Sequence, residues 1–274
     1  MEMKSMRLGL IALSATMVSG AALAADIPPR TTPAYVAPAN PYDIILEIGA
    51  GAQVAPAYEG ASVNQAQPFP VFKLHYLAIP GFAPITNSRF DQGFSFSPSF
   101  RYISKRKASD YSQLAGLNDV DATFELGGKF AYTFGIIRPW VAVRQGFGGS
   151  DGVVGETGLD FIWRPDPVME LTLGPRASFA TSAYMEAYFG VTPAEAARSP
   201  FLTAYSPGGG FKGVGAELSA RYEVSSEWAV VGKLAYEKLI GDAADSPIVK
   251  VGDENQWTAQ VGLSYKFGMR LFGN

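Results

Sequence analysis

The closing strand of this chain is the feature that most constrains its fold. Residues 257–267 read WTAQVGLSYKF, in which apolar and polar side chains alternate without a break. Successive side chains of a strand point to opposite faces, so this segment predicts one apolar face and one polar face. Aromatic residues stand at both of its ends. A strand of about ten residues with these features is typical of a transmembrane β-barrel, although a half-buried strand of a soluble sheet alternates in the same way.

The same alternation recurs along the chain. Residues 212–224, for example, place Leu218 and Tyr222 opposite Glu217 and Arg221. The predicted strands are 43–54, 69–77, 92–103, 122–134, 137–147, 153–164, 167–180, 212–224, 228–240 and 257–267. About ten strands of this kind predict an all-β fold, a closed antiparallel transmembrane β-barrel.

The connections between strands test this prediction independently, since outer-membrane barrels have short periplasmic turns and long outer loops. Alternate connections are indeed short, at 134–137, 164–167 and 224–227. Most of the others are long, at 55–66, 104–120, 182–210 and 242–254. The exception is residues 78–91, which form a long periplasmic connection or contain another strand. The second interpretation leaves a twelve-stranded barrel possible.

The N-terminus predicts export. A positively charged start precedes an apolar stretch at residues 8–18, which is too short to span a bilayer. Residues 22–24, Ala-Leu-Ala, have the small-x-small form of a cleavage site. We therefore predict a signal peptide at 1–24, a proline-rich periplasmic lead-in at 25–41 and an outer-membrane barrel at 42–274.

Composition argues against several classes of function. The chain has no cysteine and a formal charge of -3, so it offers no thiolate metal site and no basic surface for nucleic acid. Its one histidine, His75, lies beside Lys73 on an inward face, and no nucleophile-elbow pattern marks a partner. Asp242 and Asp245 lack EF-hand spacing, so a solvated loop is favoured over a weak cation site. We predict no enzymatic activity, no metal site and no cofactor.

The predicted inward faces carry charges of both signs. They are Glu47, Lys73, Arg101, Glu125, Lys129, Arg144, Glu156, Asp160, Arg164, Arg176, Glu217, Arg221, Glu223, Lys233, Glu237 and Lys266. A barrel of about eight strands is just wide enough for side chains to fill, whereas porins need about sixteen. Because buried charges require partners, we expect these residues to cross-link and plug the lumen. The alternative is a path for ions or small solutes.

The longest loop, residues 182–210, is rich in aromatic side chains. Thr192, Pro193 and Glu195 form the pattern of a capping box with proline in the first turn, which predicts a short helix. Long ordered loops usually carry function. Two interpretations stay open, a binding surface and a lid that covers the barrel mouth.

Several segments resemble a known family. They are PAYEGA at 56–61, QPFPVFKLHY at 67–76, YFGVTPAEAARS at 188–199, AYSPGGGFKGVG at 204–215, KLIGDAADSPIV at 238–249 and GLSYKF at 262–267. Together they resemble the MipA/OmpV family of outer-membrane proteins. The resemblance covers most of residues 43–268 and is weakest over 78–120.

This resemblance implies a non-enzymatic scaffold or interaction protein in the cell outer membrane, in contact with outer-membrane lipid. It implies a peptidoglycan synthase and a lytic transglycosylase as partners. The alternatives are a small-solute channel and a membrane lipid hydrolase that uses His75. The resemblance implies no catalytic residues in this chain. The motif positions that transfer as binding candidates are Tyr58, Glu59, Gly60, Tyr188, Phe189, Gly190, Gly208, Gly209, Gly210, Asp242 and Asp245.

Overall fold

The computed structural model describes residues 40–272, so the predicted signal peptide and nearly all of the predicted lead-in lie outside the described residues. One antiparallel sheet of eleven strands curls into a barrel. The strands are β1 (Ile44–Pro56), β2 (Asn64–Leu77), β3 (Ile85–Thr86), β4 (Gly93–Ile103), β5 (Thr123–Thr133), β6 (Ile137–Gly148), β7 (Val153–Trp163), β8 (Met169–Ala180), β9 (Gly210–Glu223), β10 (Trp228–Leu239) and β11 (Asn255–Met269). The helices are α1 (Ser182–Phe189), α2 (Pro193–Arg198), α3 (Gly241–Asp245) and α4 (Pro247–Lys250).

The sheet runs in the order β3-β2-β1-β11-β10-β9-β8-β7-β6-β5-β4. The first long strand therefore pairs with the last, from Ile44 opposite Met269 to Val54 opposite Ala259. Ten strands are long, as the sequence predicts, and β3 has only two residues. Within the described chain, residues 78–91 thus form a long connection with a minimal strand, and the twelve-stranded alternative is wrong.

The two ends of the sheet meet along a line between β2 and β4, which we call the seam. No backbone ladder joins these two strands in the described part of the chain. β3 pairs only with Tyr76 and Leu77 at the end of β2. The side chain of Asn87 bridges the two edges, because its Nδ2 donates to the carbonyl oxygens of Leu74 (3.0 Å) and Phe96 (2.7 Å).

The exterior of the wall is apolar and the interior is polar. Val261 of β11 is 58% exposed, while Ser264 of the same strand is fully buried inside the barrel. Aromatic pairs mark the two rims, with Trp228 against Tyr265 and Tyr236 against Trp257. An exterior of this kind is stable only in hydrocarbon, so the chain is an outer-membrane β-barrel.

None of the helices in residues 40–272 is long and apolar enough to cross a membrane.

The two faces of β11 provide a test of the orientation of the wall. Replacing the outward Val261 with Arg should impair folding by about 2–4 kcal/mol, because a charge near the bilayer midplane loses its hydration. The control is Gln260→Arg, since Gln260 faces inward and contacts Gln53. The folded fraction is measured from heat-modifiable mobility of outer-membrane extracts. Equal losses in both variants would show that the faces are wrongly assigned.

Candidate functional site

The outer loops fold into an ordered layer over one mouth of the barrel, which we call the cap. It consists of residues 57–63, 104–122, 181–209 and 240–254 and contains all four helices. Its buried apolar side chains form two clusters, whose members include Tyr58, Leu114, Tyr184, Met185, Tyr188, Phe189, Val191, Leu202, Ala243, Ile248 and Val249. Most aromatic side chains of the loop 182–210 are therefore buried in the cap, as the lid interpretation requires.

Helix α2 begins with the predicted capping box. The Thr192 hydroxyl accepts from the Glu195 amide, and the Glu195 carboxylate accepts from the Thr192 amide at 2.9 Å. The second oxygen of Glu195 accepts from the Asn118 amide at 2.8 Å. Because Asn118 belongs to the loop 104–122, one carboxylate both starts the helix and joins two cap segments.

Glu59 is the polar centre of the cap. Its carboxylate lies 2.7 Å from Lys212 Nζ and accepts a hydrogen bond from the Tyr184 hydroxyl at 2.9 Å. Arg101 lies 3.5 Å away, donates to the Tyr184 oxygen at 2.7 Å and also contacts Glu125. One side chain from the loop 57–63 therefore connects β4, β9 and α1 across the mouth.

Charge explains why Glu59 is stable there. Its side chain is only 15% exposed. Burial raises the pKa of the Glu59 carboxyl, but the positive charges of Lys212 and Arg101 outweigh burial and hold it below its usual range. Burial raises the pKa of Tyr188 to about 12, so this phenol stays a neutral donor and contacts Thr123 Oγ1 at 2.6 Å.

Tyr58 and Gly60 flank Glu59 and fix its loop. The Tyr58 ring packs edge-on against Tyr111. Gly60 has a φ of +86°, and a Cβ there would lie 2.6 Å from a methyl group of Val249. Its amide donates to the side chain of Gln256 at 3.1 Å. Only glycine combines this backbone conformation with so close an approach.

The remaining candidates hold the long loop to the loop 240–254. The Phe189 carbonyl accepts from the Ser246 hydroxyl at 2.7 Å, just before Gly190 ends α1. The Gly208 amide donates to the Asp242 carboxylate at 2.6 Å. Gly209 and Gly210 follow at the start of β9. The motif positions that transfer from the family thus lie in the cap, except Gly210, which begins β9 next to it, and their binding role stays a prediction.

The aspartates of the segment GDAADSP are exposed in the outer connection, as a solvated loop predicts, but they lie in the short helix α3. Asp242 accepts from the Gly208 amide, and Asp245 lies 3.4 Å from Lys250. The segment is helical because Ser246 caps the following helix and Ala243 buries its methyl group in the cap. The described residues contain no cluster of three or more histidine and acidic side chains that fits a metal ion.

The lumen beneath the cap is cross-linked by ion pairs, as the balance of charges predicts. Arg144 contacts both Glu125, at 2.9 Å, and Glu156. Arg176 lies between Asp160 (2.8 Å) and Glu217 (3.2 Å). Each of these pairs joins neighbouring strands along the inner wall, and together they border a cavity of about 710 Å³.

The periplasmic mouth is also narrowed by protein. The connection 78–92 folds beneath it, and Arg89 forms an ion pair with Glu223 at 3.2 Å. Arg164 donates to the Arg89 carbonyl and pairs with Glu170 at 2.7 Å. Ordered segments therefore lie across both ends of the barrel.

His75 belongs to a polar network in the lumen. Its Nε2 lies 2.6 Å from Glu47, whose carboxylate also accepts from Ser264 and from Arg221. A catalytic serine must contact the base that takes its proton. Here the Ser264 hydroxyl and the His75 imidazole both contact Glu47 and not each other. Ser264 is therefore not paired with His75 as a nucleophile with its base.

Comparison with known proteins agrees with this architecture. Residues 48–267 match the family model described as MltA-interacting protein MipA. The chain belongs to this family. Relatives include the MltA-interacting proteins of Escherichia coli (strain K12) and Shigella flexneri, each 29% identical over 168 residues that cover 60% of this chain. The alignment spans 64% of either relative, less than two thirds of its length.

Solved outer-membrane proteins are similar at low identity. The COG4313 outer membrane channel from Pseudomonas putida F1 has a TM-score of 0.43 and 9% identity, over 84% of this chain and 97% of that one. The NanC porin has a TM-score of 0.36 and 6% identity, over 81% and 100%.

Removing the charge of Glu59 should loosen the cap. We expect Glu59→Gln to reduce the free energy of cap opening by about 1.5–3 kcal/mol, because Lys212 and Arg101 lose a charged acceptor. Cap opening is measured as amide hydrogen exchange in α1. The control is Glu254→Gln, an exposed cap residue paired with Lys238.

The same contact predicts a pH dependence. Since the pKa of Glu59 is depressed in the folded cap, its stabilisation is present at neutral pH and is lost as the pH falls through that depressed value. The protection factors of the α1 amides, which correct for the intrinsic pH dependence of exchange, should therefore fall on acidification in the wild type and change less in Glu59→Gln. Identical acid profiles in the two proteins would contradict the assignment of Glu59 as the polar centre.

Proposed function

We propose that this chain is a non-enzymatic scaffold of the outer membrane, which binds a lytic transglycosylase at its periplasmic face. The observation that carries this proposal is the closure of the barrel by ordered segments at both ends. A barrel whose bore is closed cannot pass solutes, so we expect it to act by binding other molecules at its exposed surfaces. The names of its relatives, MltA-interacting proteins, support a transglycosylase as the partner class.

The interior argues against the channel alternative. A solute that entered from outside would have to displace the cap and break the contacts of Glu59 with Lys212 and Tyr184. Below them it would meet Arg144, which is held by two carboxylates. Breaking a buried ion pair costs about 3–5 kcal/mol, and this cost supports a barrel that does not conduct solutes in the folded state.

The hydrolase alternative lacks its chemistry. The only histidine is committed to Glu47, and Ser264 contacts that carboxylate and not the imidazole. The Glu47 carboxylate beside Ser264 is already held by Arg221 and His75, so it is not free to take a proton from the hydroxyl. This arrangement supports a protein without enzymatic activity.

The connection 78–92 is the best periplasmic candidate for partner binding. A turn closed by the Phe82 amide and the Ile79 carbonyl, at 3.0 Å, includes Gly81 at a φ of +85°. This turn holds Phe82 76% exposed at the periplasmic end. Fixed, exposed aromatic side chains are frequent anchors of protein interfaces.

Partner binding provides the test of the scaffold proposal. The detergent-solubilised protein should bind a purified lytic transglycosylase, and Ile79→Ser with Phe82→Ser should weaken the affinity about tenfold or more. The matched control is Phe201→Ser, since Phe201 is 61% exposed in the cap at the opposite end. Unchanged affinity in the periplasmic variant would overturn the proposed surface, and no binding by the wild type would overturn the partner class. The same assay with a peptidoglycan synthase tests the second partner that the resemblance implies.

Electrical recording tests the closure of the bore. The purified protein in planar bilayers should show no stable openings of porin size, because ion pairs and the cap occupy the lumen. Stable openings at neutral pH would promote the channel alternative.

A further inference from the structure

The seam is the one place in the described wall where adjacent long strands lack a backbone ladder. Unpaired backbone groups in hydrocarbon cost several kcal/mol each, so a gap in the ladder requires an explanation. We propose that the seam is a lateral portal, through which the hydrocarbon chain of an anionic single-chain amphiphile enters the lumen from the membrane. Lys73 binds its headgroup. This inference does not depend on the proposed scaffold function.

Prolines prevent β2 from pairing across the seam. The ladder between β1 and β2 continues without a break through the pairs Ala52–Pro68 and Ala50–Pro70. In an antiparallel ladder, hydrogen-bonded pairs alternate with pairs that exchange no hydrogen bonds. Because proline has no N–H to donate, the hydrogen-bonded pairs of β1 and β2 are those between the prolines, such as Gly51–Phe69. The backbone nitrogens of Pro68 and Pro70 therefore face β4 and have no hydrogen to donate to it.

The opposite edge is built in the same way. Pro98 of β4 pairs with Gly128 of β5 inside an unbroken ladder. Because Pro98 cannot form a hydrogen-bonded pair with Gly128, its backbone nitrogen faces β2 and has no hydrogen to donate. The carbonyl of Phe96, two residues away, points to the seam, since it accepts from Asn87. Three seam-facing positions thus lack donors at mid-height, and these prolines keep a complete ladder from forming across the seam.

The lumen cavity reaches the membrane through this gap. The 710 Å³ cavity is lined by inward side chains and also by outward ones at the seam. The outward ones are Pro68, Pro70, Phe72, Pro98, Phe100 and Tyr102. The rings of Phe72 and Phe100 meet across the seam at 5.7 Å between centroids. An apolar opening of this kind admits a hydrocarbon chain and excludes a hydrated ion.

Lys73 supplies a charge for the headgroup. Its side chain lines the 710 Å³ cavity and also a second cavity of about 400 Å³ at the periplasmic mouth. Among residues 40–272, no carboxylate oxygen lies within 4.0 Å of its ammonium, whereas most lumen cations are paired. Lys73 is half-buried, and the nearby Glu47 and Glu170 lie beyond ion-pair distance, so an anion bound beside its ammonium would complete its pairing.

The smaller cavity also has an arginine in its lining. Arg89 lines it, and the buried Nη1 of this side chain has no hydrogen-bond partner in the described chain. The acids that line this cavity are engaged, Glu223 by Arg89 Nη2 and Asp91 by the Ser88 amide. An anionic headgroup at this cavity would pair Lys73 and lie beside the guanidinium of Arg89, which already pairs with Glu223. A carboxylate and a phosphate share this chemistry, so a fatty acid and a lysophospholipid are both suitable ligands.

Photo-crosslinking tests the site. The full-length mature protein in nanodiscs is irradiated with a diazirine-bearing fatty acid, and labelled residues are mapped by mass spectrometry. Inward residues of the cavity should be labelled, and unlabelled palmitate or lysophosphatidylglycerol should compete, whereas methyl palmitate should not. Labels confined to outward residues would overturn the proposal. Competition by only one of the two anions would identify the source of the ligand.

Lys73→Gln should reduce inward labelling about tenfold, the factor expected from losing a charge-assisted hydrogen bond. The matched control is Lys129→Gln. Lys129 is also an inward lysine of the wall, but it lies over the Trp140 ring at 3.8 Å and lines neither cavity. Heat-modifiable mobility verifies that both variants fold. Equal labelling in the folded Lys73 and Lys129 variants would overturn the role of Lys73.

A staple across the seam tests the route. The chain has no cysteine, so Phe72→Cys with Phe100→Cys can be joined by a short bis-maleimide before the fatty acid is added. The control staple joins Phe96→Cys and Phe130→Cys, whose rings meet at 5.0 Å across the complete ladder between β4 and β5. Only the seam staple should abolish inward labelling. Undiminished labelling after the seam staple would show entry through an end of the barrel and overturn the portal.

Discussion

The requirement that every backbone donor and acceptor in hydrocarbon find a partner governs this structure. It makes the pairing of β1 with β11 necessary, because an open sheet would leave two bare edges in the membrane. It also gives the seam its significance. The three prolines at the seam remove donors that would otherwise need partners, and Asn87 supplies one side chain to two carbonyl groups near the periplasmic end. The backbone of the wall is thus incompletely paired only at the seam, where prolines and Asn87 reduce the free-energy cost of unpaired groups.

Charge organises the interior as backbone pairing organises the wall. In the lumen, arginines lie between pairs of acids, and at the outer mouth one acid lies among a lysine, an arginine and a tyrosine. The two arrangements are continuous, because Arg101 contacts both Glu125 of the wall and Glu59 of the cap. The cap is therefore held by the same network that fills the bore, and changes in one should be felt in the other.

Most of the wall could be predicted from the sequence, because period-two alternation is a local property. The strands at 153–164 and 228–240 match β7 and β10 almost residue for residue. The capping box of α2 was equally local. The seam was not predicted, since prolines within an alternating segment do not show which neighbouring strand they face. The partners of Glu59 were not predicted either, because Lys212 and Tyr184 lie 153 and 125 residues away in sequence.

The pairing of β1 with β11 also has a consequence for the order of assembly. The ladder joins Ile44 to Met269, so the wall closes through contacts between residues at opposite ends of the described chain. Contacts of such long sequence separation form late, because a large loop must first be ordered. Until then β1 and β11 are exposed edges that can pair with other chains. A chaperone that shields strand edges during export would therefore matter more to this protein than one that shields apolar side chains alone.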